Sequence, residues 1–487
     1  MSGIELGGRV DSATLATVGG FLLAGALAAG IVTVSPVLTL AVTAGLAGVL
    51  FFVVRPAETL IVAIVFRVFL DILWWVPFSV GGLNLSQIFS GGVFVLLAVI
   101  VFVRMRDLRH HPVTGWALGM LALLVLATVR AIDLAADVDI LVRYFTAPLM
   151  LLATAVVFDR ADQRRWLIRL ITLAAIVPVA YSMYRLATGM SGYVLHGYVR
   201  LLGGYKNIHN HALVMMCFAM LFLGWTEVVE RRWVRLSLYG LVGACLLAIY
   251  FTYTRTGMLG VAVSIVAYFV ALRRFRLVGT LLLVGAILVL LDPEVQDRFS
   301  DIAVFFDPNA DKTQMRSLGS GRWGLWSWSM AEYTSKTWAE MLFGLGLGGH
   351  RLTTLDWSRA FHRMGLTLDP HNDYLLFLYQ MGPLGVVVYL GMVWGVVRAS
   401  LLVLRNGEDR WSRGFAASMI GLSVGVVVTN GVSNSFIHRS APGWYYWSLA
   451  GLIVAEAIAV RHRLVAERQG ARRPRLIADA EAQPASP

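Results

Sequence analysis

The residues of this sequence best suited to chemistry are one histidine in an unusual turn and a few cations that stand apart from the rest. The histidine is His371, within Asp369-Pro370-His371-Asn372-Asp373-Tyr374-Leu375, where a long polar loop, roughly residues 292–370, returns to an apolar helix. Pro370 pushes this neighbourhood out of helical geometry, and Asn372 or Asp373 can cap the helix that follows. A histidine placed there titrates near neutral pH and can take a proton. The plainer reading is a capping turn whose histidine is merely solvated.

The cations fall in short motifs. Thr252-Tyr253-Thr254-Arg255-Thr256-Gly257 puts Arg255 between two apolar runs, flanked by hydroxyls. That setting suits phosphate contact, or simple anchoring at a membrane interface. Gly203-Gly204-Tyr205-Lys206-Asn207-Ile208-His209-Asn210 closes a glycine-bearing loop and opens a helix, so backbone N–H groups beside Lys206 suit an anion. His209 and His211 are two apart and point in different directions on a helix, which argues against a metal pair. Gly319-Ser320-Gly321-Arg322-Trp323-Gly324-Leu325-Trp326 leads into an amphipathic helix with Arg322 at its start and Trp323, Trp326 and Trp328 at the membrane interface. Gly344-Leu345-Gly346-Leu347-Gly348 is expected as a flexible turn; no βαβ unit precedes it, so it is not a dinucleotide loop. No carboxylate or Cys/His set has metal-ligand spacing, so neither a metal nor a cofactor is expected.

These residues must be positioned by helices in a membrane. Of 487 residues, 58% are hydrophobic and only 14% charged, with a mean hydropathy of +0.70. Apolar runs of about 18 or more recur, which excludes a soluble globule and gives an all-α, polytopic integral membrane protein. About fourteen spans are expected, near residues 14–34, 36–54, 58–78, 86–103, 113–129, 139–157, 166–186, 208–226, 235–253, 256–272, 276–291, 374–399, 414–431 and 442–460. Two very short connections make twelve an alternative count. The net charge of +12 comes almost entirely from arginine, since Lys206, Lys312 and Lys336 are the only lysines. Most of these arginines lie in short inter-helix loops, so a membrane explains them and nucleic acid does not. Cys217 and Cys245 sit in apolar segments and are expected as free thiols.

Alternating the spans from a cytoplasmic N-terminus places Arg104–Arg109, Arg160–Arg165, Arg231-Arg232, Arg273-Arg274, Arg405–Arg413 and the C-terminal arginines on one side. The acidic loop Asp133–Asp139 and the loop 292–370 fall on the other. By the positive-inside rule both termini are cytoplasmic. Arg200, Lys206, Arg255, Arg322, Arg351 and His371 are then exceptions on the outer face, and such exceptions call for a functional explanation. Arg143, beside Tyr144 near an outer helix end, reads either as snorkelling or as ligand binding. Arg67 and Asp71, four apart within a span, read as an internal ion pair.

The organisation expected is a cytoplasmic N-terminus (1–13), a first transmembrane bundle (14–199), helices with outer basic motifs (200–291) and a large outer loop (292–370). C-terminal helices (371–460) and a disordered cytoplasmic tail (461–487) complete it.

The turn at His371, followed by Gly382 and Gly385, resembles the signature of the O-antigen ligase/polymerase superfamily. Gly204–Asn210, Thr254-Arg255, Gly321-Arg322 with Trp326, and Gly344–Gly348 agree in order upstream, so the resemblance spans roughly residues 200–450. It departs from the family pattern at Asn207-Ile208-His209-Asn210, where an Asn-Pro-Asn is usual. The resemblance implies a bacterial inner-membrane enzyme that moves a glycan from an undecaprenyl-diphosphate carrier to a lipid- or glycan-linked acceptor hydroxyl on the periplasmic side, with inversion. On that basis His371, Arg255 and Arg322 are expected as catalytic, and Arg200, Lys206, Arg143, Asn372, Tyr374 and Trp326 as substrate-binding. The implied partners are the lipid-linked donor, the acceptor and membrane lipids, with no nucleic acid. The alternative class is a polytopic transporter, against which stand the absence of an internal repeat and the gathering of polar residues at the outer edge.

Overall fold

A computed structural model describes residues 55–72, 79–80, 83–108, 112–190, 193–195, 198–291, 319, 321–351, 370–437 and 439–481, with single positions at 296 and 304. The expected spans at 14–34 and 36–54 lie outside the described residues. The chain runs α1 (Pro56–Ile72), β1 (Ser79–Val80), β2 (Leu83–Asn84), α2 (Leu85–Val103), α3 (Met105–Leu108), α4 (Pro112–Val129), α5 (Leu134–Val157) and α6 (Ala161–Ala187). It continues through β3 (Tyr193–Leu195), β4 (Tyr198–Arg200), α7 (Ile208–Val228), α8 (Arg232–Phe251), α9 (Arg255–Ala271) and α10 (Phe275–Leu291). After these come α11 (Arg322–Thr334), α12 (Trp338–Phe343), α13 (Asp373–Asn406), α14 (Arg410–Val432) and α15 (Ser440–Glu481).

The fold is that of a polytopic helical membrane protein. Among the described residues seven helices are long and apolar enough to cross a bilayer: α2, α5 from Asp137, α6, α7, α8, α13 and α14. Shorter apolar helices cover Val113–Val129, Arg255–Ala271 and Phe275–Ile287. Each remaining expected span coincides with one of these helices or with part of α1 or α15. Two small antiparallel hairpins interrupt the helices, one pairing Val80 with Leu83 and the other Tyr193 with Arg200. Strands of two or three residues are too short to show an alternating pattern, so the sequence gives no sign of them. The last helix, α15, runs to Glu481 where a disordered tail is expected from 461; the stretch is rich in Ala, Arg, Glu and Leu, all good helix formers.

Helix α7 is the central post. It is buried over most of its length, and α8, α9, α14 and α15 pack around it. Glycines bring α9 and α14 together. A Cβ at Gly260 would lie 2.4 Å from the Thr429 methyl, and one at Gly425 would lie 2.0 Å from the Ser264 hydroxyl oxygen. In a bilayer, where hydrophobicity does not drive helices together, such small-residue contacts let dispersion do so.

Helix α13 is broken at Gly382 (φ 69°, ψ −171°) just before Pro383. The break strips the Tyr379 and Gln380 carbonyls of their helical partners, and Leu345 N–H (2.6 Å) and Gly346 N–H (3.2 Å) take their place. Leu347 N–H donates to the Ala127 carbonyl (2.8 Å) and the Leu347 carbonyl accepts from Ile132 N–H (3.3 Å), fixing the same segment to the end of α4. The glycine stretch 344–348 is thus a buried strap rather than a flexible turn. It can lie there because Gly344 and Gly346 both have positive φ and a Cβ on either would run into backbone within 2.5 Å. Non-helical backbone at this depth is tolerated only when protein satisfies it, and the strap does so.

Ion pairs account for several charges singled out above. Arg67 meets Asp71 at 2.8 Å and lies over the Trp444 ring at 5.1 Å. Arg351 pairs with the fully buried Asp137, locking the strap to α5. Cys217 and Cys245 are free and buried, as expected.

Candidate functional site

The turn at His371 is built from its neighbours. Asn372 caps α13, its Oδ1 accepting from Tyr374 N–H (2.9 Å) and Leu375 N–H (3.1 Å), while its Nδ2 donates to the Gly431 carbonyl (2.8 Å). Buried Asp373 accepts from Ser435 N–H at 2.9 Å, and the Tyr374 hydroxyl donates to the Val427 carbonyl at 2.6 Å. These bonds staple the start of α13 to the end of α14. Between Pro370 and this staple, half-buried His371 is held at φ 50°, a left-handed conformation that costs an L-residue roughly 1–2 kcal/mol. Trp326 of α11 closes over the turn, its Nε1 donating to the Pro370 carbonyl at 2.8 Å.

The same α11 brings in Arg322. Its Nη1 donates to the Val432 carbonyl and lies 3.5 Å from Thr256 Oγ1, next to Arg255 at the start of α9. The turn before Arg255 is fixed by a 2.8 Å bond between the Thr252 and Thr254 hydroxyls and by Tyr253 at φ 49°. Gly257 then lets α9 close on α7, where a Cβ would stand 2.7 Å from that of Ala212.

The buried segment 433–437 delivers a third guanidinium. Trp447 Nε1 holds the Phe436 carbonyl at 3.0 Å, and Arg439 donates from Nε to the Asn434 carbonyl and from Nη1 to Asn210 Oδ1 (3.3 Å). Burial first, then the charges of Arg255 and Arg439, push Arg322 down to about 10, which leaves it charged at neutral pH. Arg322 has no carboxylate partner among the described residues. His209, on the first turn of α7, lies within electrostatic reach of Arg439, Arg322 and His371.

Three arginines and two histidines from four helix ends and one connecting segment thus converge. Beside them His209 Nδ1, Ser433 Oγ and both amide atoms of Asn434 are buried without a hydrogen-bond partner among the described residues. Buried polar groups are rarely left so, and their clustering beside the cations marks a place for a polar ligand. Among the described residues no three His, Cys, Asp or Glu side chains converge as a metal site requires.

Of the residues expected from sequence, the structure brings together Arg255, Arg322, His371, Trp326, Asn372 and Tyr374. In this arrangement Asn372 and Tyr374 anchor the His371 turn. Arg143 is ion-paired with Asp139 and shares a narrow cleft with Arg439, Trp444 and Trp447. Arg200 is buried at the end of the β3–β4 hairpin, where the neighbouring Leu201 N–H donates to the Phe251 carbonyl at 2.9 Å, and its Nε has no hydrogen-bond partner among the described residues. Lys206 is exposed on the loop before α7. Arg439, His209 and Asn210 were not expected in the site. Arg439 carries a sequence signal all the same, being a cation in a short connection between two apolar runs. His211, two residues from His209, has a different place: it is fully buried, with Nε2 at 3.0 Å from the Ser182 hydroxyl and Nδ1 at 3.2 Å from the Leu201 carbonyl.

Fold and site together define a polytopic helical membrane protein with a cationic, histidine-bearing cluster at one end of its bundle. Residues 240–390 match the O-antigen ligase family model, and that stretch contains Arg255, Arg322 and His371. The match supports the resemblance to the O-antigen ligase/polymerase superfamily over this stretch and, in general terms, O-antigen ligase-type glycan transfer. A comparison with curated proteins gives no match.

Proposed function

We propose that the protein transfers a saccharide from a polyprenyl-diphosphate carrier to an acceptor hydroxyl, at a site on the periplasmic face, without a metal. The observation that carries this reading is the convergence of Arg255, Arg322 and Arg439 beside His371. The acceptor oxygen attacks the anomeric carbon as the bond from that carbon to the diphosphate oxygen breaks. The electron pair leaves with the diphosphate, whose growing charge the guanidiniums stabilise. His371 takes the acceptor proton. A diphosphate is already a good leaving group, so fixed cations suffice and no general acid is needed. Attack opposite the leaving group inverts the anomeric centre. The acceptor is the lipid A core in a ligase or a second lipid-linked repeat in a polymerase, and the chemistry is the same for both.

The test is reconstitution of the full chain in liposomes with an undecaprenyl-diphosphate-linked saccharide and an acceptor. Transfer with release of undecaprenyl diphosphate is expected, and it should survive EDTA. Strict dependence on a divalent ion would overturn the metal-free mechanism; solute flux without covalent change would make the protein a transporter.

The sidedness has its own test. The cluster lies at the end holding exposed Lys206, whereas Glu408 is exposed at the other, arginine-rich end. With the two buried native cysteines replaced by serine, Lys206→Cys should react with an impermeant maleimide added from the periplasm. Glu408→Cys should react only after permeabilisation, and the reverse pattern would refute the orientation.

A further inference from the structure

At the opposite end of the bundle, α7 and α9 finish and α8 and α14 begin around a cavity of about 410 Å³. It is lined by Glu227, Arg235, Tyr239, Arg274, Arg410 and Arg413, among others. That volume lies in the range of small-ligand sites. An excess of arginine at this end is what the positive-inside rule leads one to expect, but that rule places charge in loops and does not make it converge. Elsewhere at this end arginines are matched by carboxylates, as Arg164 is by Glu456 (2.7 Å) and Arg463 by Glu408 (3.0 Å).

The cavity is not so balanced. Glu227 is occupied by Arg274, whose Nη1 and Nη2 each donate to one of its oxygens at 2.7 Å, and by the Tyr268 hydroxyl at 3.3 Å. Arg410 reaches Glu230 at 3.2 Å on the exposed rim. Arg235 is fixed on the wall by two bonds to the Val229 carbonyl (3.1 and 2.6 Å). Neither Arg235 nor Arg413 has a carboxylate partner among the described residues. Four arginines against Glu227 and Glu230 leave an excess of two positive charges. Arg410 and Arg413 also lie in the first turn of α14, where the helix dipole disfavours a cation and favours an anion. Two cations kept at the unfavourable end of a helix, facing a cavity, suit a bound anion.

The rim identifies the kind of anion. Trp233, Leu236 and Tyr239 lie 80%, 47% and 44% exposed on the first turns of α8, an apolar strip of the sort that sits among lipid chains at the bilayer interface. We propose that this cavity binds a phosphate group, and the strip on α8 points to an anionic phospholipid as its source, the headgroup among the arginines and the chains along α8.

The experiment uses the full chain purified in detergent, with thermal unfolding as readout, since a ligand of the native state raises Tm in a concentration-dependent way. Dihexanoyl phosphatidylglycerol, dihexanoyl phosphatidylcholine and inorganic phosphate are the probes. Phosphatidylglycerol should give a saturable rise, and the net-neutral phosphatidylcholine should bind far more weakly. Arg410→Gln/Arg413→Gln, at two exposed positions, should weaken phosphatidylglycerol binding about tenfold or more, the loss expected for charge-assisted contacts. Arg413→Gln alone serves if the double variant does not fold. Inorganic phosphate binding as tightly as phosphatidylglycerol would keep the phosphate site and remove the lipid as its source. No saturable rise with either phosphate-bearing anion, equal binding of the two lipids, or variants that bind like wild type would overturn the proposal.

Discussion

Arg322→Ala should lower glycan transfer by tenfold to a few hundredfold while the protein still inserts and unfolds at nearly its wild-type temperature. The size follows from what the side chain is asked to do. A charge-assisted hydrogen bond to a developing diphosphate is worth about 1.5–3 kcal/mol, and each 1.4 kcal/mol is a factor of ten in rate. Arg322 is largely withdrawn from water, which raises the value of its contact. Arg255→Ala should fall in the same range. Arg439→Ala should fall below it, because that guanidinium already donates to Asn434 and Asn210. The loss should appear in kcat more than in KM, since diphosphate charge grows only as the bond breaks. Lysine at 322 should recover part of the loss, a point charge replacing a fork. Arg322 also donates to the Val432 carbonyl and so helps dock α11. If docking were its whole role, Arg322→Lys and Arg322→Ala would differ in Tm and not in kcat. Wild-type transfer by Arg322→Ala would remove the leaving-group assignment.

Hydropathy makes the helices of this protein legible, because a bilayer forces every span to satisfy its own backbone and to show lipid an apolar face. Charge asymmetry likewise picks out Arg255, Arg322 and His371. What neither signal contains is the distance between them. Arg439 meets Asn210, and Arg322 meets Thr256, because α14, α9 and α7 close on one another through Gly257, Gly260 and Gly425. In sequence those glycines look like any others in an apolar run. The strap 344–348 is misread for a related reason. Nothing local orders it; its partners are carbonyls freed by the break at Gly382 and backbone at the end of α4. The histidines show the limit of spacing as a guide. Two residues apart predicts that His209 and His211 diverge, and they do, but only packing shows that one faces the cations and the other a buried serine.

His371→Ala should be the most damaging single change in the site, costing roughly 10²–10⁴ in transfer, the contribution of a positioned general base. Its effect on stability should be small. The turn is held by the bonds of Asn372, Asp373 and Trp326, and removing the imidazole breaks none of those. The substitution therefore separates chemistry from folding, which Asn372→Ala would not do, since it uncaps α13 and frees the Gly431 carbonyl. A base must be neutral to accept a proton, so transfer should fall as acid protonates His371. That acid limb should vanish in His371→Ala. His209 stands close by and is the alternative base. The two are separated by comparing His209→Gln, which should keep the acid limb, with His371→Gln, which should lose it. His371→Gln retains a hydrogen-bonding side chain but cannot take a proton. A well-inserted His371→Gln protein with near wild-type transfer would mean that His371 binds or positions substrate, and the proton would have to leave by another route.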